Sequence, residues 1–191
     1  MFFSIRNLKE VNLFDTPNYG DYTLFCDLDG VLADIEASFR CLHPRFEEIP
    51  KRKLWDLVEA RGVTFWETLP WTSDGKILWG LIHRSRPRIL SAAPTRNAKI
   101  FTDSSAGKRL WIRRELGPVF KDNAIICRRH EKSTYAAAGS ILIDDYPLTI
   151  QAWQNAGGIG ILHVSARQTI QTLKRLVPVG RSPGSFRQQR L

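Results

Sequence analysis

Short apolar runs and helical periodicities alternate along this chain. Tyr22-Thr23-Leu24-Phe25-Cys26 is β-prone and free of charge, so it predicts a buried strand, and it stops abruptly at Asp27-Leu28-Asp29-Gly30. From Leu32 the spacing turns helical, with Leu32, Ile35, Phe39 and Leu42 on one face. Residues 43–86 read as short helices and loops that carry Trp55, Trp66, Trp71 and Trp79, with no strand pattern. Arg88-Ile89-Leu90-Ser91, following Pro87, predicts a second strand. A helix is expected over 106–116, closed by Gly117-Pro118. Asn123 to Cys127 predicts a third strand, and Ser140 to Ile143 a fourth that again ends on two acids, Asp144-Asp145. Pro147 suits the first turn of a helix running to Asn155. Ile159 to His163 predicts a fifth strand, and Arg167 to Leu176 a last amphipathic helix.

This alternation predicts an α/β, Rossmann-like fold, a parallel sheet with helices on both faces. The stretch between the first two strands is too long for a simple crossover and predicts a small inserted helical cap. The expected organisation is a core of 1–33 and 87–177, a cap of 34–86, and a basic, disordered tail of 178–191.

Composition narrows the setting. At 191 residues the chain suits one domain, and no apolar run approaches the roughly 20 residues a membrane span needs, so no membrane partner is expected. The first residues lack the pattern of a signal peptide. Cys26, Cys41 and Cys127 are too scattered for a disulfide framework or a zinc cluster, which favours reduced, cytoplasmic thiols. The net charge of +9 favours anionic partners such as phosphate esters, nucleotides or nucleic acid. Arg181, Arg187 and Arg190 of the tail supply part of that charge.

The chemistry lies at the strand ends. Ligands of open parallel sheets bind outside the carboxyl ends of the strands. Asp27 and Asp29 follow the first strand here, and Asp144 and Asp145 the fourth. One isolated acid pair would more simply cap a helix or make a turn. Two pairs at the same edge would repel each other unless a hard cation joined them, and magnesium prefers carboxylates, waters and phosphate oxygens.

These residues also carry a resemblance. Asp27-Leu28-Asp29-Gly30-Val31-Leu32 resembles the first motif of the haloacid dehalogenase superfamily, and Ser91 closing its strand resembles the second. Lys132 followed by Ile141-Leu142-Ile143-Asp144-Asp145 resembles the third and fourth. Within that superfamily the chain is most similar to the 5′(3′)-deoxyribonucleotidases and their phage and bacterial relatives, through Asp27 to Asp34, Lys108 and Trp111, and Leu142 to Asp145. The run Leu90-Ser91-Ala92-Ala93-Pro94-Thr95 departs from the threonine-serine-proline of those enzymes, and Ile35 stands where they tend to carry phenylalanine.

The resemblance implies a magnesium-dependent phosphomonoester hydrolase acting on (deoxy)nucleoside monophosphates. Asp27 would be the covalent nucleophile and Asp29 the general acid and base. Asp27, Asp29 through its carbonyl, Asp144 and Asp145 would hold Mg2+, while Ser91 and Lys132 would hold the phosphate. Lys108 opens a helix that looks solvated on one side and reads as a surface charge. Phe65 and Trp66 occupy a stretch like the cap segment that faces a nucleobase, and core packing is the competing expectation for them. Arg128, Arg129 and His130 either extend the phosphate-binding surface or form a solvated basic loop. Asp34 suits an acid in the first turn of a helix. Two other readings remain open: a phosphatase of nucleic-acid ends, and a non-catalytic nucleic-acid-binding protein on the same scaffold.

Overall fold

Five strands pair in parallel in the order β3-β2-β1-β4-β5 in the computed structural model, which describes residues 22–176. The strands are β1 (Thr23–Cys26), β2 (Arg88–Ala92), β3 (Ile125–Cys127), β4 (Ser140–Asp144) and β5 (Ile159–Leu162). All five lie within one residue or two of their expected positions. The tail expected over 178–191 lies outside the described residues.

The period-2 alternation of each strand assigns its side chains to two cores. Leu24 and Cys26 of β1, Ile89 of β2, Ile141 and Ile143 of β4 and Ile161 of β5 share one cluster. Leu78 and Ile82 of α4 (Gly75–Ile82), Ile100, Trp111 and Ile112 of α5 (Ala98–Glu115), and Leu173 of α8 (Ala166–Leu176) belong to it as well. Phe25, Leu90 and Leu142 point the other way, to Ile150 and Trp153 of α7 (Pro147–Asn155). The Phe25 and Trp153 rings meet edge to face at 5.2 Å. Helices therefore cover both faces of a parallel sheet, as an α/β Rossmann-like fold requires.

Between β1 and β2 the chain leaves the sheet and returns through a narrow stem. Asp34 N–H donates to the Pro70 carbonyl at 2.8 Å, and Thr72 N–H to that of Leu32 at 2.9 Å. Outside the stem lie α1 (Ile35–Leu42), α2 (Lys51–Arg61) and α3 (Val63–Glu67). Beyond it, α4 packs against α8. Val58, Phe65, Trp66 and Leu69 of the insertion join the same core cluster as the sheet. The tightest seam is at Gly107 of α5, where a Cβ would stand 2.5 Å from the Val63 carbonyl and 2.6 Å from the Trp66 Cβ. The buried Trp111 indole donates to the Leu69 carbonyl at 2.7 Å across that seam.

Helix α5 corrects one expectation, since it begins eight residues before the expected 106. The Asn97 side chain caps it by accepting from Ile100 N–H at 2.9 Å. Its buried face carries Ser104, Gly107 and Lys108 among the apolar residues, and at Gly107 α3 approaches too closely for any side chain. Apolar periodicity is therefore broken where the helix is most enclosed.

Candidate active site

The β1/β4 register pairs Cys26 with Ile143, so the next residue of each strand, Asp27 and Asp144, reaches the carboxyl edge side by side. Asp27 N–H continues the ladder by donating to the Ile143 carbonyl at 2.8 Å. Carboxylate oxygens of Asp27, Asp144 and Asp145 all lie within 4.8 Å of one another. The two strand ends thus converge, with Asp27 of the first pair and both acids of the second in the cluster.

The turn after β1 closes tightly, with Gly30 at φ +79°, a conformation that favours glycine. The Asp145 carboxylate occupies the space a Cβ at that position would need. Glycine therefore serves both the turn and the approach of the second acid pair.

Lys132 comes from the 3-10 helix Arg129–Tyr135, which crosses from β3 to β4, and is fully buried. Its ammonium sits 2.9 Å from Asp27 Oδ2 and 2.6 Å from Asp144 Oδ2. Burial by itself would lower the Lys132 pKa, but the charges of Asp27 and Asp144 outweigh it and raise the pKa. Burial, then the neighbouring Asp27 charge, pushes Asp144 up to about 7 and Asp145 to about 6. Such crowding is what a divalent cation relieves, and the three oxygens form a donor set of the kind a hard ion takes.

A second lysine, expected to be a surface charge, belongs to the same site. Lys108 has no solvent exposure, and its ammonium donates to Asp29 Oδ2 at 2.6 Å, to Ser91 Oγ at 3.0 Å and to the Ala92 carbonyl. The helix face that carries it looks polar in sequence because its partners are themselves polar groups at the ends of β1 and β2. Asn97, standing as a helix-capping residue well before the apolar turns of α5, was the available signal that this helix starts early enough to enclose Lys108. Burial raises the Asp29 pKa, with the Lys108 charge opposing. The other oxygen, Asp29 Oδ1, is buried and has no hydrogen-bond partner among the described residues. Ser91, buried in β2, stands on the Lys108 side of the site.

The two cap aromatics pack as core residues. Trp66 is 1% exposed, with Lys108 Nζ over its ring at 5.2 Å and the Trp55 ring stacked at 6.4 Å. Phe65 stacks on Phe39 at 5.7 Å and lines a cavity of about 290 Å³ with Ser38, Arg61 and Thr64. The insertion is pressed so closely on α5 that Trp66 has no open face for a base. It roofs Lys108 instead. Asp34 caps α1, accepting from Ala37 N–H at 2.8 Å, as an acid at a helix start should.

No family model matches the chain. No curated protein matches it. Among solved structures, the chain is similar to a hydrolase from Streptococcus pneumoniae TIGR4, with 13% identity and a TM-score of 0.43 over 81% of this chain and 97% of that one. Neither activity nor substrate follows from a likeness that distant.

Proposed function

We propose that this chain is a magnesium-dependent phosphomonoester hydrolase of the haloacid dehalogenase type, acting on nucleoside monophosphates through an aspartyl-phosphate on Asp27. The observation that carries this reading is the convergence of Asp27, Asp144 and Asp145 around one point, with the Lys132 ammonium bridging the first two.

The Asp27 carboxylate attacks phosphorus while the bond from phosphorus to the leaving oxygen breaks, and Asp29 gives that oxygen a proton. A water then attacks the aspartyl-phosphate, losing its proton to Asp29 and releasing phosphate from a restored Asp27. Asp29 needs a proton at rest for the first step, and its raised pKa supports that state. Lys108 engages Oδ2, so Oδ1 is the oxygen left to carry the proton. Ser91 and Lys132 hold the phosphoryl oxygens. Mg2+ held by Asp27, Asp144, Asp145 and the Asp29 carbonyl would offset carboxylate and phosphate charge together. The nucleotide assignment rests on the resemblance of Asp27 to Asp34 and Leu142 to Asp145, and on the +9 charge. Free cysteines at 26, 41 and 127, two of them buried, support a cytoplasmic setting.

A phosphatase panel of deoxy- and ribonucleoside monophosphates, sugar phosphates and phosphorylated oligonucleotides, run with magnesium or EDTA, tests this reading. Magnesium-dependent release of phosphate from nucleotides, lost in Asp27→Asn, is expected. Turnover that survives in Asp27→Asn would refute the covalent mechanism.

A further inference from the structure

Arg129 stands out among the three consecutive basic residues 128–130. In a 3-10 helix the side chains at i and i+3 eclipse, so Arg129 lies on the same face of its helix as Lys132, one turn nearer the start. Its guanidinium carbon sits 4.2 Å from the centroid of the Tyr146 ring. Tyr146 directly follows Asp145, and its N–H donates to Asp144 Oδ1 at 2.8 Å. The arginine is thereby tied to the loop that carries the second acid pair. Arg128, in contrast, is engaged by Glu131, which its backbone N–H reaches at 2.8 Å. Arg129 makes no ion pair among the described residues.

The charge balance says what such an arginine is for. Lys108 and Lys132 offset only part of the charge of Asp27, Asp29, Asp144 and Asp145, and one divalent cation would offset the remainder. On the phosphatase reading, Ser91, Lys132 and the cation supply the contacts for the phosphate being hydrolysed. A substrate with a second phosphate brings charge that nothing inside remains to meet, and a guanidinium on the rim suits it, because its planar fork matches phosphate oxygens in pairs. Stacking on Tyr146 restrains the arginine near the rim without consuming its N–H donors.

We propose that Arg129, held on Tyr146, binds a second phosphate of the substrate next to the one being hydrolysed. The proposal rests on the phosphatase reading above. Two sources share this chemistry: the second ester of a nucleoside bisphosphate, and the first phosphodiester of a phosphorylated nucleic-acid end.

The test compares kcat/KM with Mg2+ for a nucleoside 5′-monophosphate, the 3′,5′-bisphosphate, and a dinucleotide bearing a 5′-phosphate. Wild type, Arg129→Gln and Lys121→Gln are assayed; Lys121 precedes β3, at the opposite edge of the sheet, and controls for loss of one charge. Wild type should favour a two-phosphate substrate by about tenfold, the size of one charge-assisted contact. Arg129→Gln should abolish most of that preference, and Lys121→Gln should keep it. Preference for the bisphosphate identifies a small ligand, and preference for the dinucleotide a nucleic-acid end. No preference in wild type, or one that survives Arg129→Gln, overturns the inference and leaves the phosphatase reading standing. If nothing is hydrolysed, the phosphatase reading fails. Calorimetric binding of the same compounds then decides the inference, through tighter binding of the two-phosphate compounds that Arg129→Gln removes or leaves.

Discussion

Lys108 and Asp29 meet at 2.6 Å across 79 residues of sequence, the ammonium without solvent exposure and the carboxyl at the edge of the site. The same ammonium holds Ser91, so one side chain from α5 links the ends of β1 and β2. Lys132 does the corresponding work for β1 and β4 by bridging Asp27 and Asp144. Lys108 thus serves Asp29, while Lys132 joins the two acid pairs to each other.

Removing one member of the Lys108 pair should be worse than removing both. Lys108→Met leaves the partly buried Asp29 carboxyl without its hydrogen-bonded partner, at a cost of about 1–3 kcal/mol in stability. It should also lower kcat/KM about a hundredfold or more, since Asp29 loses the partner that orients it. The double variant Asp29→Asn with Lys108→Met should recover part of the stability and none of the activity. Urea denaturation alongside phosphate release separates the two. Equal stability in the single and double variants would show that the pair is not coupled.

Asp27→Asn should silence turnover by about four orders of magnitude or more while sparing the fold. Lys132 keeps Asp144 as its partner in that variant, and one source of repulsion on Asp144 and Asp145 is gone. Its melting temperature in EDTA should equal or exceed that of wild type. A large drop would mean that Asp27 is a structural residue first.

Magnesium should stabilise the chain more at pH 8 than at pH 5. The Asp144 and Asp145 carboxyls stand near 7 and 6 in the fold against an ordinary value of 3.8. An acid with a raised folded pKa favours the folded state most below its unfolded pKa, and that contribution is lost as pH rises through the folded value. Without the cation these two acids thus weaken the fold increasingly between about pH 4 and 7. A bound cation removes that penalty only where the acids are ionised. Thermal melts with and without Mg2+ across this range give the answer, and an increment independent of pH contradicts the assignment of these acids as its ligands.

Two glycines in helices should respond in opposite ways to alanine. Gly107→Ala drives a methyl into the Val63 carbonyl and the Trp66 Cβ, and overpacking of this kind costs about 1–3 kcal/mol. Activity should fall with it, because the adjacent Lys108 is aimed by the same turn of α5. Gly80→Ala in α4 meets nothing within 4 Å and should gain up to about 1 kcal/mol from helix propensity. Denaturation midpoints compare them directly, and tolerance of Gly107→Ala would mean that α3 is not clamped to α5.

The amino-acid order by itself determined the five strands, the helix from Pro147 to Asn155 and the two acid pairs at the strand ends. Those features are local: β-branched and apolar runs bury themselves whatever surrounds them, proline opens a helix wherever it stands, and a polar pair after an apolar run marks a strand's end. Tertiary structure alone decided that Lys108 is an interior group, that Trp66 is a roof, and that Arg129 rests on Tyr146. A lysine reads as solvated until its partners are known, and those of Lys108 are an aspartate 79 residues away and a serine on another strand. Periodicity records which faces are apolar, whereas the place of a charge depends on which opposite charges the fold brings within reach.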